Sequence, residues 1–204
     1  MMVAMTAPRT VQRRSGRDTL GLAALGDRLL TIDDLDRLPD DDYRYELDEG
    51  VLIVSAAPGN FHQLASTRLT AFLVNACPPD MLVIHAPGVA ISRIHFRIPD
   101  LVVIRVGDLT PKFVERPPLL AVEIASPSTG HYDRSRKKDV YAGFGIPDYW
   151  IITPDPDKPD ITVFQLNGKK YEQTDHVAGD ATFTAKRPFP VAFTPEALVT
   201  TSPR

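Results

Sequence analysis

The sequence has a single cysteine, Cys77, in 204 residues. No internal disulfide can form, so the fold must rest on its core, and the composition fits a reducing compartment. No apolar run approaches the ~20 residues that a membrane-spanning helix needs. The most apolar segment near the start, LGLAALGDRLL, is broken by Asp27 and Arg28. It follows a basic stretch, RTVQRRSGR, but no signal-cleavage pattern comes after it. A cytoplasmic protein with no membrane partner is the expectation. An excess of positive charge is also lacking: 23 Lys and Arg against 26 Asp and Glu leave a net charge of −3. Binding to nucleic acid would therefore depend on a local basic patch. Internal repeats, low-complexity tracts, zinc-ligand clusters, phosphate loops and nucleophile elbows are absent as well. Solenoids, zinc modules, P-loop nucleotidases and serine hydrolases of the elbow type are thereby set aside.

What is present is an ordinary globular composition, 43% hydrophobic and 24% charged. Residues 1–28 read as a flexible basic leader, with Arg13, Arg14 and Arg17 as solvated or nucleic-acid-touching charges. Residues 29–204 read as one domain. Thr31 opens a short helix, and YRYEL pairs with VLIVSA across Asp48-Glu49-Gly50 as a hairpin. Asn60 caps a helix, FHQLASTRLTAFLVNA, with a broad apolar face. MLVIHA and GVAIS follow as short strands, and ITVFQL and KYEQTDHV as a closing hairpin. FTAKRPFPVAF reads as a last edge strand, where proline is tolerated. The sum is an α+β domain: a mixed β-sheet flanked by helices.

The stretch from Pro99 to Trp150 carries the chemistry. Asp100 heads the apolar run LVVIRV, and Glu123 lies inside a second run, LLAVEIAS. Charges inside a sheet are costly unless they are paired or bind metal. Mg²⁺ takes one or two carboxylates and keeps several waters. Asp100 and Glu123 are candidate ligands of Mg²⁺, with Mn²⁺ as a substitute, and the Ile124 carbonyl is a candidate third oxygen. Such an ion would activate water and stabilise charge on a phosphate. The plainer alternative is a strand-capping Asp after proline and a Glu in a structural ion pair.

PDLVVI, VEIASPST, the D-x-x-x-K-x-x-x-Y series and GIPDYW resemble, in order, the signature of the Uma-two endonucleases. These belong to the restriction-endonuclease-like, PD-(D/E)XK superfamily. YELDEGVLIV and His62-Gln63 resemble that family's first hairpin and helix, so the likeness spans about residues 31 to 194. Ala125 stands where the superfamily's Glu-x-Lys lysine would be, Gly50-Val51 replaces the family's Gly-Glu, and Arg93 to Arg97 depart from its usual strand. The resemblance implies a restriction-endonuclease-like mixed sheet with helices on it, and Mg²⁺-dependent hydrolysis of DNA. It also implies that Glu46 lies near the metal site as a further carboxylate; a solvent-facing strand position is the alternative.

Helical spacing selects the lysine. Residues four apart share a face, so Asp133, Lys137 and Tyr141 fall on one line, flanked by Val140 and Phe144. Lys137 is the candidate catalytic lysine on the inward, apolar side, and the family's motif lysine has the same spacing; a structural ion pair with Glu123 is the alternative. Arg134 and Lys138 fall on a more polar flank suited to solvent or DNA phosphate. His62, in the first turn of its helix where the dipole favours anions, is a further phosphate-binding candidate, or merely a surface residue. Cutting both strands of DNA calls for two sites, so a homodimer is expected. The alternatives are an inactive nucleic-acid- or protein-binding module on the same scaffold, and a hydrolase of another phosphate ester.

Overall fold

The computed structural model describes residues 28–125 and 131–201, with side chains omitted for residues 131–134. The leader expected over residues 1–28 thus lies, but for its last residue, outside the described residues.

A short 3₁₀ turn, Ile32–Arg37, leads into β1 (Arg44–Asp48) and β2 (Val51–Ser55). These two form the expected hairpin, with Gly50 at φ +77° in its turn. Helix α1 (Asn60–Ala76) begins one residue early, with Gly59 in the capping position in place of Asn60. Four strands follow: β3 (Met81–His85), β4 (Val89–Ser92), β5 (His95–Arg97) and β6 (Leu101–Arg105). Then come β7 (Leu120–Ile124), helix α2 (His131–Phe144), β8 (Asp148–Thr153), β9 (Asp160–Asn167) and β10 (Lys170–Ala178). The chain continues through β11 (Phe183–Ala185), β12 (Val191–Phe193) and the short α3 (Pro195–Val199).

The main sheet has six strands in the order β10-β9-β8-β7-β6-β3, and the first hairpin belongs to a second sheet, β2-β1-β5-β4. Only β7 and β8 run parallel in the main sheet. A parallel pair needs a crossover, and α2 supplies it. The final FTAKRPFPVAF segment is not one edge strand. It folds back on itself as the two-stranded sheet β11-β12, since Pro188 and Pro190 lie between the strands and cannot extend a ladder.

Alternation along β7 sorts the core. Leu120, Val122 and Ile124 pack with Trp150, Ile152 and the α1 residues Ala65, Leu69 and Leu73. Ala121 and Ala125 pack on the other face with Tyr141 of α2, Ile146 and Tyr149. Glu123, between Ala121 and Ala125 in that alternation, therefore lies under α2. Burying so acidic a position requires partners, and the neighbouring helix and sheet provide them.

Candidate active site

Strand register brings the first two carboxylates together. Leu101 pairs with Val122 in the antiparallel β6–β7 ladder. Asp100 immediately precedes the first, and Glu123 immediately follows the second. Pro99 offers no N–H to the ladder at that end. Instead the Asp100 carboxylate caps the neighbouring strand, accepting from the Ile124 backbone N–H at 2.8 Å.

Asp100 is 2% exposed, and both its oxygens are engaged. Oδ2 also contacts His62 Nε2 at 3.2 Å, and Oδ1 accepts from Arg44 at 3.1 Å. Burial opposes ionisation of Asp100, but His62, the Ile124 N–H and Arg44 outweigh it and hold the carboxyl below its ordinary value. His62 thus enters the carboxylate site from the first turn of α1, and its Nδ1 is buried with no protein partner.

Glu123 takes two donors from α2: Lys137 Nζ at 3.0 Å on Oε2 and the Tyr141 hydroxyl at 2.6 Å on Oε1. Burial pushes its carboxyl up to about 7. Lys137 opposes that rise, the Asp100 and Glu46 carboxylates add to it, and the Tyr141 hydrogen bond opposes it. The Tyr141 phenol is itself raised well above its ordinary value by burial and by these carboxylates. It remains a donor across the working range.

Glu46 comes from the second sheet. It is 4% exposed, accepts from the Ile98 N–H at 2.7 Å, and places Oε2 3.7 Å from Lys137 Nζ. The solvent-facing alternative for this residue is thereby excluded. Lys137 lies between Glu123 and Glu46, and its inward orientation follows the helical spacing. Lys138 folds its ammonium over the Phe164 ring, 3.6 Å from the centroid, rather than projecting away from the sheet. The Arg134 side chain lies outside the described residues.

Arg44 and Tyr141 are the members without an assigned role in the sequence reading. Tyr141 lay on the Lys137 line, but a hydroxyl bonded to a buried acid has no sequence signature. Arg44 precedes Glu46 by two positions and so shares its strand face, which is the one signal that pointed to it. Outside this group, Asp48 gathers Arg97 at 2.8 Å and Arg136 at 3.0 Å, and Arg136 also contacts Glu49 at 2.6 Å. The residue next to Lys137 thus ties α2 to the β1–β2 turn.

The donor set is hard oxygen, suited to an ion such as Mg²⁺. Among the described residues no group of three or more His, Cys, Asp or Glu is arranged to hold a metal ion. Asp100 and Glu123 match the one or two carboxylates that Mg²⁺ takes, not an all-protein cage.

An α+β scaffold with an Asp-headed strand, a neighbouring strand Glu and a lysine converging on it defines a nuclease-like protein of the restriction-endonuclease class. The Uma2 family, described as "Putative restriction endonuclease", matches residues 32–200. The chain belongs to this family, and a nuclease-like function goes with membership. A solved structure described as "a putative nuclease belonging to DUF820", from Anabaena variabilis ATCC 29413, superimposes with a TM-score of 0.64 at 18% identity, covering 76% of this chain and 89% of that one. That likeness is one of fold. A comparison with curated proteins finds no match. Restriction-endonuclease-like families generally use divalent metal ions. Among the described residues no helix is long and apolar enough to cross a membrane.

Proposed function

We propose that this protein is an endodeoxyribonuclease that hydrolyses DNA phosphodiester bonds with Mg²⁺, or Mn²⁺ in its place. The observation that carries the proposal is the Lys137 ammonium, 3.0 Å from Glu123 and 3.7 Å from Glu46. The superfamily's lysine stands two residues after its strand acid, where this chain has Ala125, buried at 8% exposure in the Tyr141 cluster. Here a cation from α2 reaches the same acid. The chemistry depends on where the charge lies, not on which element delivers it.

Asp100 and Glu123, with the Ile124 carbonyl, are the residues that would hold the metal. When bound, such an ion lowers the pKa of water and offsets charge developing on the phosphate. The chain's own groups do the rest. The Ile124 N–H and His62 fix the orientation of Asp100. Tyr141 fixes Glu123 from one side and Lys137 from the other. Lys137 places a positive charge beside the carboxylates, where it can orient a water and offset charge on a phosphate oxygen. Glu46 holds Lys137 from the second sheet. Cleavage of both strands would use two such sites in a homodimer.

The test is metal-dependent nicking of supercoiled plasmid by the purified protein, with Asp100→Ala as control. Nicking that needs Mg²⁺ or Mn²⁺ and vanishes in the variant is the expected result. A folded protein that leaves plasmid intact with every divalent ion would overturn the reading in favour of an inactive binding module.

A further inference from the structure

Among the described residues Arg44 is the one permanent cation on Asp100. A single Nη1 donates to Asp100 Oδ1 at 3.1 Å and to the Ile98 carbonyl at 3.2 Å. The Arg44 side chain is a quarter exposed, so it borders solvent while gripping an acid that is almost wholly buried. The other Asp100 oxygen is committed to His62 and the Ile124 N–H, which leaves Oδ1 as the oxygen with an exchangeable partner. A guanidinium and a hard cation compete for one carboxylate oxygen, and a displaced guanidinium can grip the paired oxygens of a phosphate with two N–H donors.

Charge accounting points the same way. With all three carboxylates ionised, Glu46, Asp100 and Glu123 leave a deficit of one positive charge against the side-chain cations Arg44 and Lys137. A divalent ion would turn that deficit into an excess of one. A single phosphodiester would cancel the excess.

We propose that Arg44 is a latch on the metal site: it occupies Asp100 in the resting protein, leaves Oδ1 when a divalent cation enters, and then binds a substrate phosphate. The proposal rests on the metal-site reading above and deepens it. Arg44 thereby links loading of the ion to capture of DNA. Without it, the ion would meet less competition and the DNA one contact fewer.

Calorimetric titration with MnCl₂ tests the first half. Arg44→Met removes the competitor and is expected to bind Mn²⁺ about threefold or more tightly than the unaltered protein, because the competent state no longer has to be released. Arg44→Lys keeps a charge and should stay within about twofold of the unaltered protein. Anisotropy of a short phosphorothioate duplex in Mg²⁺ tests the second half. The Arg44→Met protein should bind it more weakly, with the salt slope reduced by about one. Should Arg44→Met fail to fold, the arginine side-chain NMR signals of the unaltered protein decide: the Arg44 resonance must move as Mg²⁺ is added. Mn²⁺ binding in the unaltered protein with no gain in Arg44→Met, or an Arg44 resonance indifferent to saturating Mg²⁺, overturns the latch alone. An unchanged salt slope overturns its phosphate half. Binding gained only in Arg44→Met supports the latch, and binding in neither overturns the latch together with the metal site.

Discussion

The Tyr141 hydroxyl donates to Glu123 Oε1 at 2.6 Å across the boundary between α2 and β7. Tyr141 is fully buried, so this hydrogen bond holds a strand acid by a helix that also delivers Lys137. Tyr141→Phe keeps the ring's packing against Tyr149 and removes only the donor. It should cost ~1–3 kcal/mol of stability, as leaving a buried hydrogen-bonding group unsatisfied does. Denaturant unfolding checks this, and a loss below a few tenths of a kcal/mol would show that water replaces the hydroxyl.

Lys137 and Lys138 should separate by kinetics. Lys137→Ala removes the charge between Glu123 and Glu46 and is expected to lower the cleavage rate by about two or more orders of magnitude. Lys138→Ala removes a cation stacked on Phe164 and is expected to lower stability by ~0.5–1 kcal/mol, with any loss in DNA affinity dependent on salt. Single-turnover cleavage of a labelled duplex distinguishes them. Equal losses in rate would refute the assignment of Lys137.

The raised Glu123 carboxyl makes stability depend on pH. Its value is about 7 in the fold against an ordinary 4.5. Between those limits the unfolded chain gives up this proton while the folded one keeps it. The contribution of Glu123 is thus fully present below about 4.5 and is lost as pH rises through 7. Melting temperatures measured in a chelator should show this fall, and Glu123→Gln should flatten it across the same window. A parallel fall in both proteins would assign the effect elsewhere.

Arg136 fastens α2 to the hairpin that carries Glu46, through Asp48 and Glu49. The pair is partly exposed, so Arg136→Ala should cost only ~0.5–1 kcal/mol of global stability. Its larger effect is expected in hydrogen exchange, with amides of α2 exchanging faster while those of β7 and β8 hold. Uniform acceleration across the sheet would show a general loss of stability instead.

The elements that bear the site were legible because their patterns are strong. The LVVIRV and LLAVEIAS runs became β6 and β7, and four-residue spacing placed Lys137 inward correctly. What the sequence concealed was the pairing of distant elements. Nothing in YRYEL announces that β1 joins β5 in a separate sheet, which is what brings Arg44 and Glu46 to Asp100. Lys138 looked polar by its neighbours on the helix, yet Phe164 of β9 lies beneath it, a contact set by sheet order. The last segment reads from its sequence as one edge strand in which the prolines are merely tolerated. They instead mark the bend between β11 and β12.

Because the ammonium beside Glu123 arrives on the crossover helix, its distance along the chain from the acid is free to vary with the loop between them. A pattern that demands a lysine two residues after the acid would pass over this chain, as it would any other that recruits the charge from a second element. Relatives of this kind are better sought by a pair of through-space separations, acid to acid and acid to ammonium, applied without regard to their order in the sequence. By that measure the charge missing at Ala125 is matched by the Lys137 ammonium, delivered to Glu123 from another part of the chain.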